Sequence, residues 1–152
     1  VGPGTGVKGQ TLDTKIRVVR DGIVRHRDHL DDGLEVLRHV GGREIAAMAG
    51  AIVAARHRRI PVILDGYVCC AAASTLYAMS PSVLDHCIVG HLSAEPGHRR
   101  LLDRLEKRPV VDLDMRLGEG SGAVVALQVV QAAVACHNQM ATFETAGVSN
   151  KG

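Results

Sequence analysis

A glycine-rich turn late in the chain constrains the fold more than any other feature. Residues 115–123 read Met-Arg-Leu-Gly-Glu-Gly-Ser-Gly-Ala. They follow a β-branched run at 109–113, which is typical of a buried strand, and they precede an apolar segment at 124–140 without Gly or Pro, which indicates a helix. A flexible turn with a single carboxylate, Glu119, therefore joins the end of a strand to the start of a helix.

Spacing alone leaves two interpretations of Glu119 open. Glycines on either side let the backbone turn sharply and approach a ligand closely. The helix N-terminus that follows offers unpaired N–H groups and the positive end of a dipole. In the first interpretation the carboxylate therefore faces a ligand. In the second, Glu119 caps the N-terminus of the helix in an ordinary strand-to-helix turn.

Strand and helix patterns alternate along the rest of the chain. Short apolar runs at 61–66 and 86–91 predict two further strands. Helical periodicity covers 11–25, 34–40, 43–59, 68–79 and 97–107. This alternation predicts an α/β fold with a parallel, Rossmann-like sheet and flanking helices. The length of 152 residues is enough for one domain with its own core.

Polar residues follow each predicted strand. Ligands of open parallel sheets bind at the carboxyl ends of the strands, so we expect these residues to share one edge. We interpret His91 as a hydrogen-bonded scaffold residue rather than a catalytic base. The candidates are Asp65 and Gly66 after the first strand, His91, Ser93 and Glu95 after the second, and Gly118, Glu119 and Gly120 after the third.

Other site chemistries find little support in the sequence. Pro96 and Gly97 interrupt the helical spacing that a metal site built from His91, Glu95 and His98 needs, so we predict no metal site. A serine hydrolase is disfavoured because no GxSxG motif is present. We interpret the other histidines as scattered over the surface.

Composition excludes several kinds of partner. A net charge of +2 and an aromatic content of 2% argue against binding to nucleic acid or to a membrane surface. The sequence shows no signal peptide and no transmembrane span. The four cysteines have apolar neighbours and form no CxxC pair, so we expect small buried side chains in a reducing, cytoplasmic compartment. They are Cys69, Cys70, Cys87 and Cys136.

Several motifs together resemble one known family, the nicotinate-nucleotide–dimethylbenzimidazole phosphoribosyltransferases. The matching stretches are Gly4-Thr5-Gly6, Lys15-Ile16, 41–50, 61–66, 91–98, 116–120 and 140–143. The resemblance covers essentially the whole chain and corresponds to roughly the C-terminal half of the family protein. We therefore expect residues 1–152 to be the C-terminal α/β portion of the phosphoribosyltransferase domain, without its N-terminal part.

The resemblance implies a reaction. The family moves phosphoribose from nicotinate mononucleotide to 5,6-dimethylbenzimidazole, which yields α-ribazole 5′-phosphate and nicotinate for cobalamin assembly. Benzimidazole attacks through one ring nitrogen and loses a proton from the other. The family's glutamate in the Leu-Gly-Glu-Gly motif accepts that proton, and Glu119 occupies its place here. The resemblance implies neither a cofactor nor a metal.

The same resemblance implies roles for substrate-binding residues. Lys15 and the loop of Gly4, Thr5 and Gly6 would face the 5′-phosphate, and Ser93 would face the nicotinate. Leu117 would contact the benzimidazole ring. We expect Asp65, Gly66 and Gly118 to complete the set at the edge of the sheet.

Two alternatives to an enzyme stay open at this stage. In the first, the chain is a non-catalytic α/β fragment that binds a base or a phosphate. In the second, it is a structural half-domain that dimerises through its last helix. A homodimer is expected in any case, since that helix carries an apolar face of Val124, Leu127, Val130 and Val134.

Overall fold

The fold is a three-stranded parallel sheet with helices packed around it, as the sequence predicts. The computed structural model describes residues 1–4 and 6–149. The strands lie in the order β1 (Val62–Leu64), β2 (Cys87–His91) and β3 (Pro109–Val111). Both neighbouring pairs are parallel, so all carboxyl ends meet at one edge of the sheet.

The helices follow the predicted order closely. The predicted helix at 34–40 is the exception, because it is α-helical only as far as Val36 and continues as a π-helical turn over Leu37–Gly41. Short 3-10 turns occupy Arg27–His29 and Pro81–Leu84. The α-helices of the described residues are α1 (Gln10–Arg25), α2 (Gly33–Val36), α3 (Gly42–His57), α4 (Tyr67–Met79), α5 (Pro96–Arg104) and α6 (Ser121–Gln139).

The hydrophobic core joins the sheet to α3, α4 and α5. Its most buried members include Leu64, Val89, Leu84 and Leu105. Helix α6 packs against the strands separately, at Gly90 of β2. A Cβ on Gly90 would lie 3.1 Å from the Cα of Ala123, so a side chain there would push α6 slightly away from the strand.

Two helices leave apolar side chains uncovered within the described part of the chain. Helix α1 buries none of its residues, and Val18 is 62% exposed. In α6, Val124 is 61% and Val134 is 53% exposed. Helix α6 therefore has the predicted apolar face, and most of the side chains on this face are exposed. None of the described helices combines the length and apolar character needed to cross a bilayer.

The cysteines only partly follow the prediction. All four are free thiols, and Cys70 and Cys87 are buried as expected. Burial raises the pKa of the Cys70 thiol to about 12, which makes it a poor nucleophile. The prediction is wrong for Cys136, which is exposed because the outer surface of α6 is not covered, and Cys69 is only partly buried.

Candidate functional site

A cavity of about 780 Å³ opens at the carboxyl edge of the sheet. Its lining residues come from the N-terminal loop, from α1 and from the segments that follow all three strands. The predicted site residues that line it are Gly4, Lys15, Asp65, Gly66, His91, Ser93, Glu95, Leu117, Gly118, Glu119 and Gly120. Gly6 is exposed and is not among the lining residues, and Thr5 lies outside the described residues.

The glycine turn holds Glu119 in an unusual backbone conformation. Gly118, Glu119 and Gly120 have φ angles of 79°, 57° and 77°. This left-handed region costs a residue with a Cβ about 1–2 kcal/mol. Strain of this kind is found preferentially at functional sites. The exposed Glu119 lines the cavity, so the turn presents its carboxylate there at an energetic cost.

The N-terminus of α6 is capped by Asp65 and not by Glu119. The Oδ1 atom of Asp65 accepts a hydrogen bond of 2.9 Å from the backbone N–H of Ala123. Oδ1 also lies 3.9 Å from Nδ1 of His91. The capping interpretation of Glu119 is therefore wrong. Asp65 lines the cavity as predicted, and it also ties the end of β1 to the start of α6.

His91 is a buried scaffold residue, in agreement with the interpretation of the sequence. Its side chain is 2% exposed, and Nδ1 is hydrogen-bonded to the backbone carbonyl of Asp65. The ring lies between two glycines. A Cβ on Gly66 would come within 2.6 Å of Cε1, and a Cβ on Gly122 would overlap Nδ1. Both glycines are therefore needed to seat the ring under the glycine-rich turn.

His98 positions Ser93 from below the cavity. Nδ1 of this fully buried histidine accepts a hydrogen bond of 2.9 Å from the backbone N–H of Ser93. Its Nε2 is buried and has no partner among the described residues. Burial, with His91 as a second cause, lowers the pKa of His98 to about 4. The interpretation of the remaining histidines as surface residues is wrong for this one.

The depressed pKa of His98 predicts a loss of stability in mild acid. The unfolded chain binds a proton near pH 6.5 and the folded chain only near pH 4, so the free energy of unfolding should fall as the pH drops between these values. The slope from this group is at most about 1.4 kcal/mol per pH unit. Asparagine at position 98 keeps an acceptor for the N–H of Ser93 but does not titrate. In urea titrations, the free energy of unfolding of His98→Asn should therefore lack this pH dependence. The matched control His57→Asn, at an exposed histidine, should keep it, and an unchanged pH profile of His98→Asn would contradict the assignment.

Lys15, on α1, lines the cavity and connects the helix to the N-terminal loop. Its Nζ donates a hydrogen bond of 2.9 Å to the backbone carbonyl of Gly2. A Cβ on Gly4 would lie 3.4 Å from the same Nζ. An ammonium group carries three N–H donors, so two remain to bind an anion beside this loop.

Several lining residues lie outside the predicted site. Arg116 adds a second cation to the cavity, and Tyr67 borders it next to Gly66. The only signal of Arg116 and Tyr67 in the sequence was adjacency, since each stands within a few residues of a predicted site residue. Glu95, a predicted candidate after the second strand, also lines the cavity, and its Oε1 is buried without a partner in the described structure.

Comparison with known proteins shows the family of the chain. Residues 1–148 match a family model described as "Phosphoribosyltransferase". The nicotinate-nucleotide–dimethylbenzimidazole phosphoribosyltransferase of Rhizobium rhizogenes is 63% identical over 151 residues, which are 99% of this chain and 45% of the relative. Its counterpart in Allorhizobium ampelinum is 61% identical over 152 residues, or 100% of this chain and 45% of the relative. The chain belongs to this family.

Solved structures of the phosphoribosyltransferase family share the fold. A crystal structure of CobT from Thermus thermophilus superimposes with a TM-score of 0.91 at 42% identity, over 99% of this chain and 45% of that one. Another structure, of the phosphoribosyltransferase from the same organism, gives a TM-score of 0.85 at 40% identity, over 99% and 46%. The α/β prediction is confirmed. The chain spans a little under half the length of the relatives that it matches.

Proposed function

We propose that the chain contributes the catalytic edge of an enzyme that transfers phosphoribose from nicotinate mononucleotide to 5,6-dimethylbenzimidazole. The products are α-ribazole 5′-phosphate and nicotinate, which places the reaction in cobalamin nucleotide-loop assembly. One observation carries the proposal: Glu119 is held in a left-handed conformation between two glycines beside a cavity at the carboxyl edge of the sheet. The names of the relatives supply the substrates and support an enzyme over a non-catalytic fragment.

The proposed reaction is a substitution at the anomeric carbon of the ribose. One benzimidazole nitrogen forms a bond to that carbon, and the bond between carbon and the pyridinium nitrogen of nicotinate breaks. The electron pair returns to the pyridinium nitrogen and removes its positive charge. The second benzimidazole nitrogen gives its proton to the carboxylate of Glu119, which acts as the general base. The proposed steps use no metal and no cofactor.

The lining residues suit the parts of the two substrates. Lys15 and the loop at Gly4 provide the cation and backbone for the 5′-phosphate. Ser93, fixed by His98, faces the nicotinate in this assignment. Leu117, which is 72% exposed on the rim, offers apolar surface to the benzimidazole ring beside Gly118.

Lys15→Ala should weaken the affinity for nicotinate mononucleotide by about 10–150-fold, since a charge-assisted bond to phosphate is worth about 1.5–3 kcal/mol. Free dimethylbenzimidazole, which has no phosphate, should bind almost as before. Calorimetric titrations with each ligand make the comparison. Arg17→Ala is the matched control, because this cation on the same helix is exposed and does not line the cavity. Equal losses for both ligands would contradict the role of Lys15.

Chromatography of reaction mixtures tests the activity itself. The longest natural form of the protein, supplied with both substrates, should release nicotinate and α-ribazole 5′-phosphate in equal amounts. Release of nicotinate without the second product would indicate hydrolysis of the nucleotide and would contradict the transfer.

A reducing, cytoplasmic location belongs to the same proposal. The free thiols, such as those of Cys69 and Cys136, fit such a location.

A homodimer is the assembly that we propose for the chain. The bare apolar residues of α6, among them Val124 and Val134, form a continuous helical face that a second copy can cover symmetrically. Light scattering of the purified chain should give the mass of a dimer. Val134→Lys should shift the distribution toward monomer, whereas Val18→Lys, on α1, serves as the control for charge alone. A monomer at all concentrations would contradict the proposal.

A further inference from the structure

A cluster of histidines lies away from the cavity, where α1 gives way to α2. His29 comes from the 3-10 turn that follows α1, Glu35 from α2, and His39 from the π-helical turn. Nε2 of His39 is 3.3 Å from Oε2 of Glu35, and Nδ1 of His29 is 4.0 Å from the same oxygen. One ligand atom from each residue lies within 4.8 Å of the other two. The helical pattern of the sequence gave no sign of this cluster.

Local structure brings these side chains to one place. Glu35 and His39 are four residues apart, so a helical backbone sets them on the same face. The carboxylate of Asp32 accepts hydrogen bonds of 2.8 Å and 3.0 Å from the N–H groups of Leu34 and Glu35, which fixes the start of α2. The π-helical turn at Leu37–Gly41 adds to this, because such turns occur frequently at functional sites.

We propose that His29, Glu35 and His39 bind a divalent first-row transition ion, for which zinc is the natural probe. Two imidazole nitrogens and one carboxylate oxygen are a donor set that zinc accepts, with a fourth position for water or another ligand. Bonds of that kind in tetrahedral geometry separate the ligand atoms by roughly 3.3–3.5 Å. The nitrogen–oxygen separations of 3.3 Å and 4.0 Å are close to these values, and the three ligand atoms lie within 4.8 Å of one another, so the imidazole rings must turn to bring all three to bonding distance of one ion.

The present ring arrangement must change when an ion enters. The rings of His29 and His39 are stacked with centroids 4.2 Å apart and planes 14° apart. The lone pairs of nearly parallel rings do not point at one position, so the proposal requires both rings to rotate about their side-chain torsions. The ring of His26 lies next to the cluster, with its centroid 4.9 Å from that of His39.

An unsatisfied atom distinguishes the cluster from an ordinary surface ion pair. Nε2 of His39 is buried and makes no hydrogen bond among the described residues, although Glu35 is only 3.3 Å away. Buried polar atoms of folded proteins nearly always have a partner. A metal ion beside this nitrogen supplies one.

The proposed site would anchor α1, which packs only weakly against the rest of the fold. None of the residues of α1 is buried, yet the helix delivers Lys15 to the cavity. An ion held between His29 and the α2 segment joins the C-terminal end of α1 to the body of the fold. The role that follows is structural, and it does not depend on the proposed phosphoribosyl transfer.

Calorimetric titration of the reduced chain with zinc chloride tests the proposal. We expect one ion per chain, and Glu35→Gln and His39→Ala should each weaken binding by at least about 100-fold, since loss of a ligand exceeds the effect of losing its outer-shell partner. His137→Ala is the control, because it removes an exposed histidine next to the exposed Cys136 and should leave the affinity unchanged. Hydrogen exchange should slow across α1 on addition of zinc, and not in His29→Ala.

The near-isosteric Glu35→Gln keeps the test valid if His39→Ala does not fold, which circular dichroism reports. Absence of stoichiometric zinc binding to the unmutated chain would overturn the proposal. So would zinc binding that Glu35→Gln and His29→Ala leave intact, or that His137→Ala abolishes.

Discussion

Replacing Glu119 by Gln should lower the turnover number by about 10²–10⁴-fold, the usual contribution of a positioned general base. The amide has nearly the shape of the carboxylate but cannot accept the proton that leaves benzimidazole. Affinity for nicotinate mononucleotide should change little, since the carboxylate acts on the other substrate. Steady-state kinetics on the longest natural form of the protein separate the two effects.

Glu106→Gln is the matched control. Glu106 is also exposed and has a φ angle of 54°, close to the 57° of Glu119, but it does not line the cavity. Its substitution should leave turnover unchanged. Glu119→Gly should lower turnover at least as much as Glu119→Gln without lowering the free energy of unfolding, because glycine relieves the left-handed strain. Near-normal turnover in Glu119→Gln would contradict the assignment of the base.

Gly122→Ala should lower the free energy of unfolding by about 2–3 kcal/mol, at the upper end of the range for overpacking. The added Cβ overlaps the ring of His91 at Nδ1, Cγ and Cε1. That ring cannot withdraw easily, since Gly66 lies close to it and the carbonyl of Asp65 holds Nδ1. The substitution also displaces the turn that carries Glu119, so turnover should fall with stability.

Gly50→Ala is the control for a glycine in a helix. Gly50 is exposed in α3, and its Cβ would meet nothing within 4 Å. Alanine should therefore raise stability there by about 0.5–1 kcal/mol. Urea denaturation measures both variants. A Gly122→Ala chain as stable as the unmutated one would show that His91 is not tightly enclosed.

Local patterns predicted most of the fold. Continuous β-branched runs mark buried strands, and alternation with helical periods leaves few arrangements other than a parallel sheet. Parallel strands end at the same edge, which is why the positions after each strand predicted the lining of the cavity. Asp65 and Gly118 are 53 residues apart in sequence yet line the same cavity, as that rule requires.

Contacts between distant elements were beyond the reach of these patterns. The bond from Ala123 to Asp65 joins residues far apart in the chain, so nothing local distinguished Asp65 as the cap of α6. The histidine cluster depends on how the turn after α1 meets the π-helical segment, and the helical pattern at 34–40 gave no sign of that turn. His98 looked like a surface residue because burial depends on the packing of α5 against its neighbours.

A crystal structure with 5,6-dimethylbenzimidazole and nicotinate mononucleotide bound to the Glu119→Gln protein tests the central claim most directly. We predict that the side chain at position 119 lies about 2.6–3.2 Å from one benzimidazole nitrogen, within hydrogen-bond reach. The other nitrogen should face the anomeric carbon, with the phosphate near Lys15. A benzimidazole bound outside this cavity, or turned so that neither nitrogen approaches position 119, would contradict the account.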